Sequence, residues 1–217
     1  MRRTKNCDTC RACDFCGRRV WRNEKPMEET TRTNVKQRLI QNGIAEISAH
    51  GIRDFSVRRV AAKSGVSCAA PYKHFKDRDS FIAAMLEYVT TIWIERLQKT
   101  AAQYPGDFRR QLVEISTEYV RFLVENPHYR SIIMLKDDNF DGSYRKMRAQ
   151  MTDETQKIVH EYCESVHMPE DTMHRKLYVV RSLIYGAALM FDNGEMPYTE
   201  KAMGYVRYTI DREFDLP

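Results

Sequence analysis

Apolar residues recur at three- and four-residue spacing along most of this chain, and no period-two alternation of useful length interrupts them. Val35, Leu39, Ile40, Ile44 and Ile47 form one stripe and predict a helix over Met27–Gly51, with Asn34 or Thr33 as cap and Gly51 as stop. Phe81, Met85, Tyr88, Val89, Ile92 and Trp93 mark the buried side of a long helix that Asp77 caps. It runs to about Ala102, ahead of the break Tyr104-Pro105-Gly106-Asp107. Phe108, Leu112, Ile115, Tyr119 and Phe122 place another helix over 107–125. Asn126 as cap and Pro127 in the first turn open a short apolar helix holding Ile132, Ile133, Met134 and Leu135. An acidic loop, Asp137 to Gly142, precedes a helix from Ser143 to about His167. Beyond Met168-Pro169-Glu170-Asp171, Leu177, Val180, Leu183, Ile184 and Ala187 mark a helix ending near Asn193-Gly194, and a last helix covers about Tyr198 to Phe214. The pattern predicts an all-α fold, three helices followed by about six, with no strand and no internal repeat.

Residues 55–81 carry the sharpest local signals. Ser56 and Ser67 each stand where a helix N-cap is wanted, offering a side-chain oxygen to unpaired backbone N–H groups. Phe55 and Val60 have the spacing of a hydrophobic staple, and Gly65 falls where the chain needs a left-handed residue. Two short helices joined by a tight turn follow, the second from Cys68 to Phe75. Its small residues Cys68, Ala69 and Ala70 permit close approach to another surface; Tyr72, Lys73 and His74 can all donate a hydrogen bond to phosphate.

This helix-turn-helix, and above all Ala70-Pro71 followed by Tyr72-Lys73-His74-Phe75, resembles the DNA-binding domain of TetR-type transcriptional regulators. The resemblance is specific over about residues 34–86. It implies a three-helix helix-turn-helix DNA-binding domain over 27–78 and a roughly six-helix effector-binding and dimerisation domain over 79–217. On that reading Ser56, Arg58, Arg59, Tyr72, Lys73, His74 and Lys76 meet phosphate. Ser67, Cys68, Ala69, Ala70 and Lys73 face the bases. Alanine and cysteine read only by apolar contact, so few direct base hydrogen bonds are expected and a large share falls to backbone contacts and DNA shape.

Charge agrees with this division. The net charge is +5 over 217 residues, but residues 1–26 carry +5 (8 Lys/Arg, 3 Asp/Glu), residues 27–78 another +5 (10 and 5), and residues 79–217 carry −5 (17 and 22). A basic first third joined to an acidic remainder suits a nucleic-acid face attached to a part that does not touch nucleic acid. No apolar run approaches the ~20 residues that span a bilayer, and the basic N-terminus lacks the apolar segment of a secretory signal. The expected compartment is the cytoplasm, with no membrane partner.

Residues 1–26 hold Cys7, Cys10, Cys13 and Cys16 in an unbroken C-x2-C-x2-C-x2-C. Three readings stand: a metal- or redox-sensing site, a basic arm (Arg2, Arg3, Lys5, Arg18, Arg19, Arg22) lying on DNA, or a disordered leader without a defined role. Zinc modules separate their Cys pairs by a dozen or more residues, and only Arg11 and Ala12 stand between these. No metal or cofactor is therefore assigned.

Enzymatic motifs are lacking: no glycine-rich phosphate loop, no G-x-S-x-G and no H-E-x-x-H, so the chain reads as no enzyme. His160 and Cys163 share a helix face and read as packing. The second domain is rich in adaptable apolar residues with polar tips: Tyr88, Trp93, Tyr119, Phe122, Met134, Tyr144, Met147, Met151, Tyr178 and Tyr185. The resemblance implies a small-molecule effector pocket there, and these are the candidates. Gly186, Ala187 and Ala188, set among Leu183, Ile184, Leu189, Met190 and Phe191, suggest a homodimer formed through the last two long helices. Taken together, the expectation is a homodimeric repressor that binds a double-stranded operator and is released by an effector. The alternative is a metal or redox sensor acting through the four cysteines.

Overall fold

The computed structural model describes residues 27–134 and 142–215, which form eight α-helices and one 3-10 turn, with no strand among the described residues. The first helix, α1, spans Met27–His50. Asn34 and Thr33, expected at its cap, lie inside it instead. No glycine or proline interrupts Met27–Thr33. The stop is as expected: Gly51 adopts φ +74° and its N–H donates to the Ile47 carbonyl at 2.8 Å.

Helix α2, Val57–Lys63, is capped by Ser56, whose Oγ accepts from the Arg59 N–H at 3.3 Å. Phe55 and Val60 are both buried, and Gly65 takes φ +66° just beyond the helix end. The expected second helix of the motif is not an α-helix. Residues 68–70 form a turn, and only Pro71–Lys73 are regular, as a 3-10 turn whose cap position is Ala70. The cause is Pro71. With no N–H to donate, it cannot bond the Ser67 carbonyl, and its ring crowds the preceding turn. The backbone falls back on three-residue bonds, Ala70 N–H to Ser67 O at 3.0 Å and Lys73 N–H to Ala70 O at 3.1 Å. Ser67 thus contributes its carbonyl to the turn and caps no helix.

Asp77 and Ser80 form a reciprocal capping box at the start of α3, Arg78–Ala101: Ser80 N–H donates to Asp77 Oδ1 at 2.8 Å and Asp77 N–H to Ser80 Oγ at 2.9 Å. The long α3 crosses α1 at Gly43, where a Cβ would stand 2.6 Å from the Met85 sulfur and 3.3 Å from the Phe81 ring.

Helices α4 (Phe108–Glu125), α5 (Pro127–Ile133), α6 (Gly142–Ser165), α7 (Glu170–Asp192) and α8 (Glu200–Glu213) complete the chain. α4 packs against every other one of them and against α3. One buried cluster runs from Leu39 and Ile44 of α1, through Phe81, Met85 and Leu86 of α3 and Phe122 and Leu123 of α4, to Ile210 of α8. Ion pairs tie α8 to α4: Arg121 grips Glu200 through two 2.7 Å contacts, and Arg109 reaches Asp211 at 3.0 Å and Asp215 at 2.6 Å. The Asn126 side chain does not cap α5 but donates back to the Phe122 carbonyl at 2.9 Å, closing α4. Ala187 and Ala188 are buried within the chain, where α7 meets α4 and α8; they are not an outer surface. The outer faces of α7 and α8 carry Tyr178, Tyr185, Leu189, Met190, Tyr205 and Tyr208, all exposed. No helix among the described residues is long and apolar enough to cross a membrane.

Candidate nucleic-acid interface

The helix-turn-helix is held from below by an aromatic stack. Phe75 lies flat on Phe81, with centroids 4.0 Å apart and planes within 7°, and Phe55 meets Phe81 edge-on at 5.6 Å. Arg78 covers the outer face of Phe55 at 5.8 Å and donates to the Ile52 carbonyl. Phe75 is thus core, and it fixes the end of the 3-10 turn on α3. Anchored there, the turn presents its other side to solvent: Ser67, Cys68, Ala69, Tyr72, Lys73 and Lys76 are exposed, Ala70 and His74 half-buried, and Pro71 buried. Tyr72 keeps 60% of its surface free, which suits a donor to phosphate better than a packed ring.

The neighbouring face comes from α2. Ser56 is half-buried and its hydroxyl oxygen serves the cap, while Arg58 is exposed. Arg59 is exposed as well, but it is also tied inward. Its Nε donates to Glu46 of α1 and its Nη2 to the Asp54 carbonyl. Lys63 donates to the other Glu46 oxygen at 2.8 Å. Glu46 is wholly buried, and burial alone would push its carboxyl up. The hydrogen bonds from Lys63 and Arg59 and their positive charges outweigh that and hold it below the ordinary carboxylate range. Arg58, Tyr72, Lys73 and Lys76 stand exposed without a tie to Glu46, around the small residues Ser67, Cys68 and Ala69, while Arg59 and Lys63 keep about half of their side chains exposed beside them.

Sequence reasoning missed Glu46 and Lys63. The signal for Glu46 was its spacing: seven residues beyond Leu39, it sits on the apolar stripe of α1, where a carboxylate must find partners.

The aromatic candidates of the second domain divide. Trp93, Tyr119 and Phe122 form one cluster, with Trp93 4.4 Å from Tyr119 and 5.4 Å from Phe122. The cluster continues through Tyr129, 6.0 Å from Phe122, to Tyr88, 6.4 Å from Tyr129. Tyr129 was not anticipated. Burial, together with the hydrogen bond to Tyr88, pushes its hydroxyl up, while the Gln41 amide of α1 reaches Tyr88 Oη at 3.3 Å. Met151 is buried in the same core. Met134, Tyr178 and Tyr185 are exposed and do not join it. The Tyr144 and Met147 side chains lie outside the described residues. Thr90, also unanticipated, is buried, and its hydroxyl has no hydrogen-bond partner among the described residues.

Cys7, Cys10, Cys13 and Cys16 lie outside the described residues. His160 is exposed and contacts Glu164 at 3.2 Å, whereas Cys163 is buried against Met168, and burial pushes its thiol up, so the two form no joint site. Among the described residues no group of three or more His, Cys, Asp and Glu is arranged to hold a metal ion.

Comparison with known proteins bears on the same segment. The family model of bacterial regulatory proteins, tetR family, matches residues 39–85, which run from α1 through the 3-10 turn into α3. No curated protein matches the chain. Among solved structures, a TetR family transcription regulator from Marinobacter aquaeolei VT8 superposes with a TM-score of 0.68 at 16% identity, over 85% of this chain and 97% of that one. A protein of unknown function from Rhodococcus sp. RHA1 gives 0.64 at 20% identity, over 82% and 94%. The transcriptional regulator FadR from Bacillus subtilis, solved with stearoyl-CoA, gives 0.66 at 12% identity, over 81% and 95%. At these identities the likeness shows the fold.

Proposed function

The helix-turn-helix of this chain is that of the tetR family of bacterial regulatory proteins, and from that premise we propose a homodimeric transcriptional repressor released from its operator by a small molecule. The observation that carries the reading is the exposed set on the 3-10 turn. Tyr72, Lys73 and Lys76 surround three small residues, all held outward by the Phe75–Phe81 stack. Donors at the rim position a protein on phosphate, and small residues at the centre let the backbone come close to base edges.

A homodimer accords with the outer faces of α7 and α8, where Tyr178, Tyr185, Leu189, Met190, Tyr205 and Tyr208 leave a broad amphipathic surface uncovered. Two copies joined there would present two turns to successive major grooves, ~34–36 Å apart. An effector acts by changing that separation. The aromatic cluster of Trp93, Tyr119, Phe122, Tyr129 and Tyr88 accords with an apolar or aromatic effector, and it touches α1 through Tyr88.

The test is retardation of a duplex taken from upstream of the chain's own gene. Lys73→Ala and Tyr72→Phe weaken binding at matched salt. Unchanged affinity in both variants removes the turn as the reading element.

A further inference from the structure

We propose that Glu46 is a positioning residue of the DNA-binding surface: its buried carboxylate takes up Arg59 and Lys63 of α2, each still about half exposed, and so fixes the pose of α2 and commits both side chains to α1 rather than to phosphate. The inference rests on the reading that this chain binds DNA.

Helix α2 has seven residues and buries only Val60 and Ala61, so apolar contact holds it weakly. Polar ties to its surroundings make up the difference. Before the cap, Arg59 Nη2 donates to the Asp54 carbonyl. Along the helix, Glu46 accepts from Arg59 Nε through one oxygen and from Lys63 Nζ at 2.8 Å through the other. At the C-terminal end, Asn42 Nδ2 donates at 2.9 Å to the hydroxyl of Ser64, itself 3% exposed. Glu46 is the central tie. It is 0% exposed, so each of its oxygens depends on its cation, since a buried carboxylate left half-paired is strongly unfavourable. Arg58, one residue before Arg59, is exposed and has no ion-pair partner among the described residues. Both arginines are exposed, but of the two it is Arg59 that Glu46 ties to α1.

The two roles separate by salt dependence. Removing one cation from a phosphate lowers the slope of log affinity against log salt by ~0.9, whereas removing a positioning tie lowers affinity and leaves the slope alone. The full-length chain is titrated, by fluorescence anisotropy over a potassium chloride series, against the duplex from upstream of its own gene. Arg58→Met should lower the slope by ~0.9. Arg59→Met should keep the wild-type slope while affinity falls about tenfold at each salt concentration, equivalent to ~1.4 kcal/mol. Glu46→Met combined with Arg59→Met replaces the pair by apolar side chains of similar length, an exchange that folded proteins tolerate. It should recover affinity relative to Arg59→Met alone. Circular dichroism confirms that each variant is folded at the temperature of titration. A slope lower by ~0.9 in Arg59→Met, with no recovery in the double variant, overturns the inference and makes Arg59 a phosphate contact. A wild-type chain that does not bind the duplex at any salt concentration overturns this inference and the proposed function together.

Discussion

Phe75 and Phe81 stack face to face, with centroids 4.0 Å apart, and this contact joins the 3-10 turn to the long helix α3. Phe75 is the last residue of the turn's hydrogen-bonded stretch, its N–H donating to Pro71 O at 2.9 Å. Phe81 lies one turn inside α3 and meets Phe55 as well. Phe75→Ala removes a ring that is 5% exposed and leaves a cavity, at a cost of about 3–5 kcal/mol. The residues it anchors are surface residues with little other support. Urea unfolding should show the loss of stability. DNA affinity should fall further than for Phe122→Ala, an equally buried ring remote from the turn, when both are measured on folded protein.

Gly43 and Met85 make a second pair whose identities depend on each other. A Cβ at Gly43 would stand 2.6 Å from the Met85 sulfur, and Met85 is fully buried, so the thioether has little room to yield. Gly43→Ala gains about 1 kcal/mol of helix propensity and loses about 1–3 kcal/mol to overpacking. The net effect is destabilising by about 1 kcal/mol. Shortening the neighbour removes the clash. In a double-mutant cycle with Met85→Ala, Gly43→Ala should therefore cost less than in the wild type and give a favourable coupling energy. Additive free energies would show that the crossing of α1 and α3 does not depend on this contact.

Thr90 sits on α3 at 5% exposure, and its hydroxyl has no hydrogen-bond partner among the described residues. Taking such a group out of water without compensation costs about 1–3 kcal/mol. Valine has nearly the same shape and no polar atom. Thr90→Val should stabilise the protein by about 1 kcal/mol, seen as a rise of about 2–4 °C in melting temperature for a chain of this size. A fall in melting temperature would mean that the hydroxyl finds a partner in solution.

How far these features can be read from sequence follows from their range. The Ser56 cap, the Gly65 and Gly51 stops and the Asp77 cap each depend on residues within four positions, and each was legible. Pro71 was legible as well, yet the expected α-helix over 68–75 is replaced by three-residue bonds up to Lys73, because Pro71 has no N–H for the Ser67 carbonyl. The Glu46 site brings residue 46 against residues 59 and 63, and only its position on the apolar stripe hinted at it. In α7 the period marked a buried side but not which tyrosines lay on it. Tyr178 and Tyr185 are exposed because α4 and α8 cover Val180, Ile184, Ala187 and Ala188 instead. The aromatic cluster was half legible: Trp93, Tyr119 and Phe122 follow helical spacing, but Tyr129 enters it through the fold of the short α5.

Protonation offers a test of Glu46 that needs no DNA. Its carboxyl is held below the ordinary value of 4.5, because Lys63 and Arg59 favour the charged form more than burial disfavours it. A group whose folded pKa is depressed binds its proton more tightly in the unfolded chain. Its contribution to stability is then fully present above the unfolded pKa and is lost as pH falls through the folded one. Among the described residues, His50 Nε2 lies 3.9 Å from the same carboxylate, and Arg59 and Lys63 are the cations that pair with it. Glu46→Gln keeps the shape and removes the titration. The stability difference between wild type and Glu46→Gln, measured by urea unfolding from pH 7 downward, should stay level to about pH 5 and shrink below about 4.5. A difference that stays constant down to pH 3 would mean that the carboxylate draws no stability from its two cations.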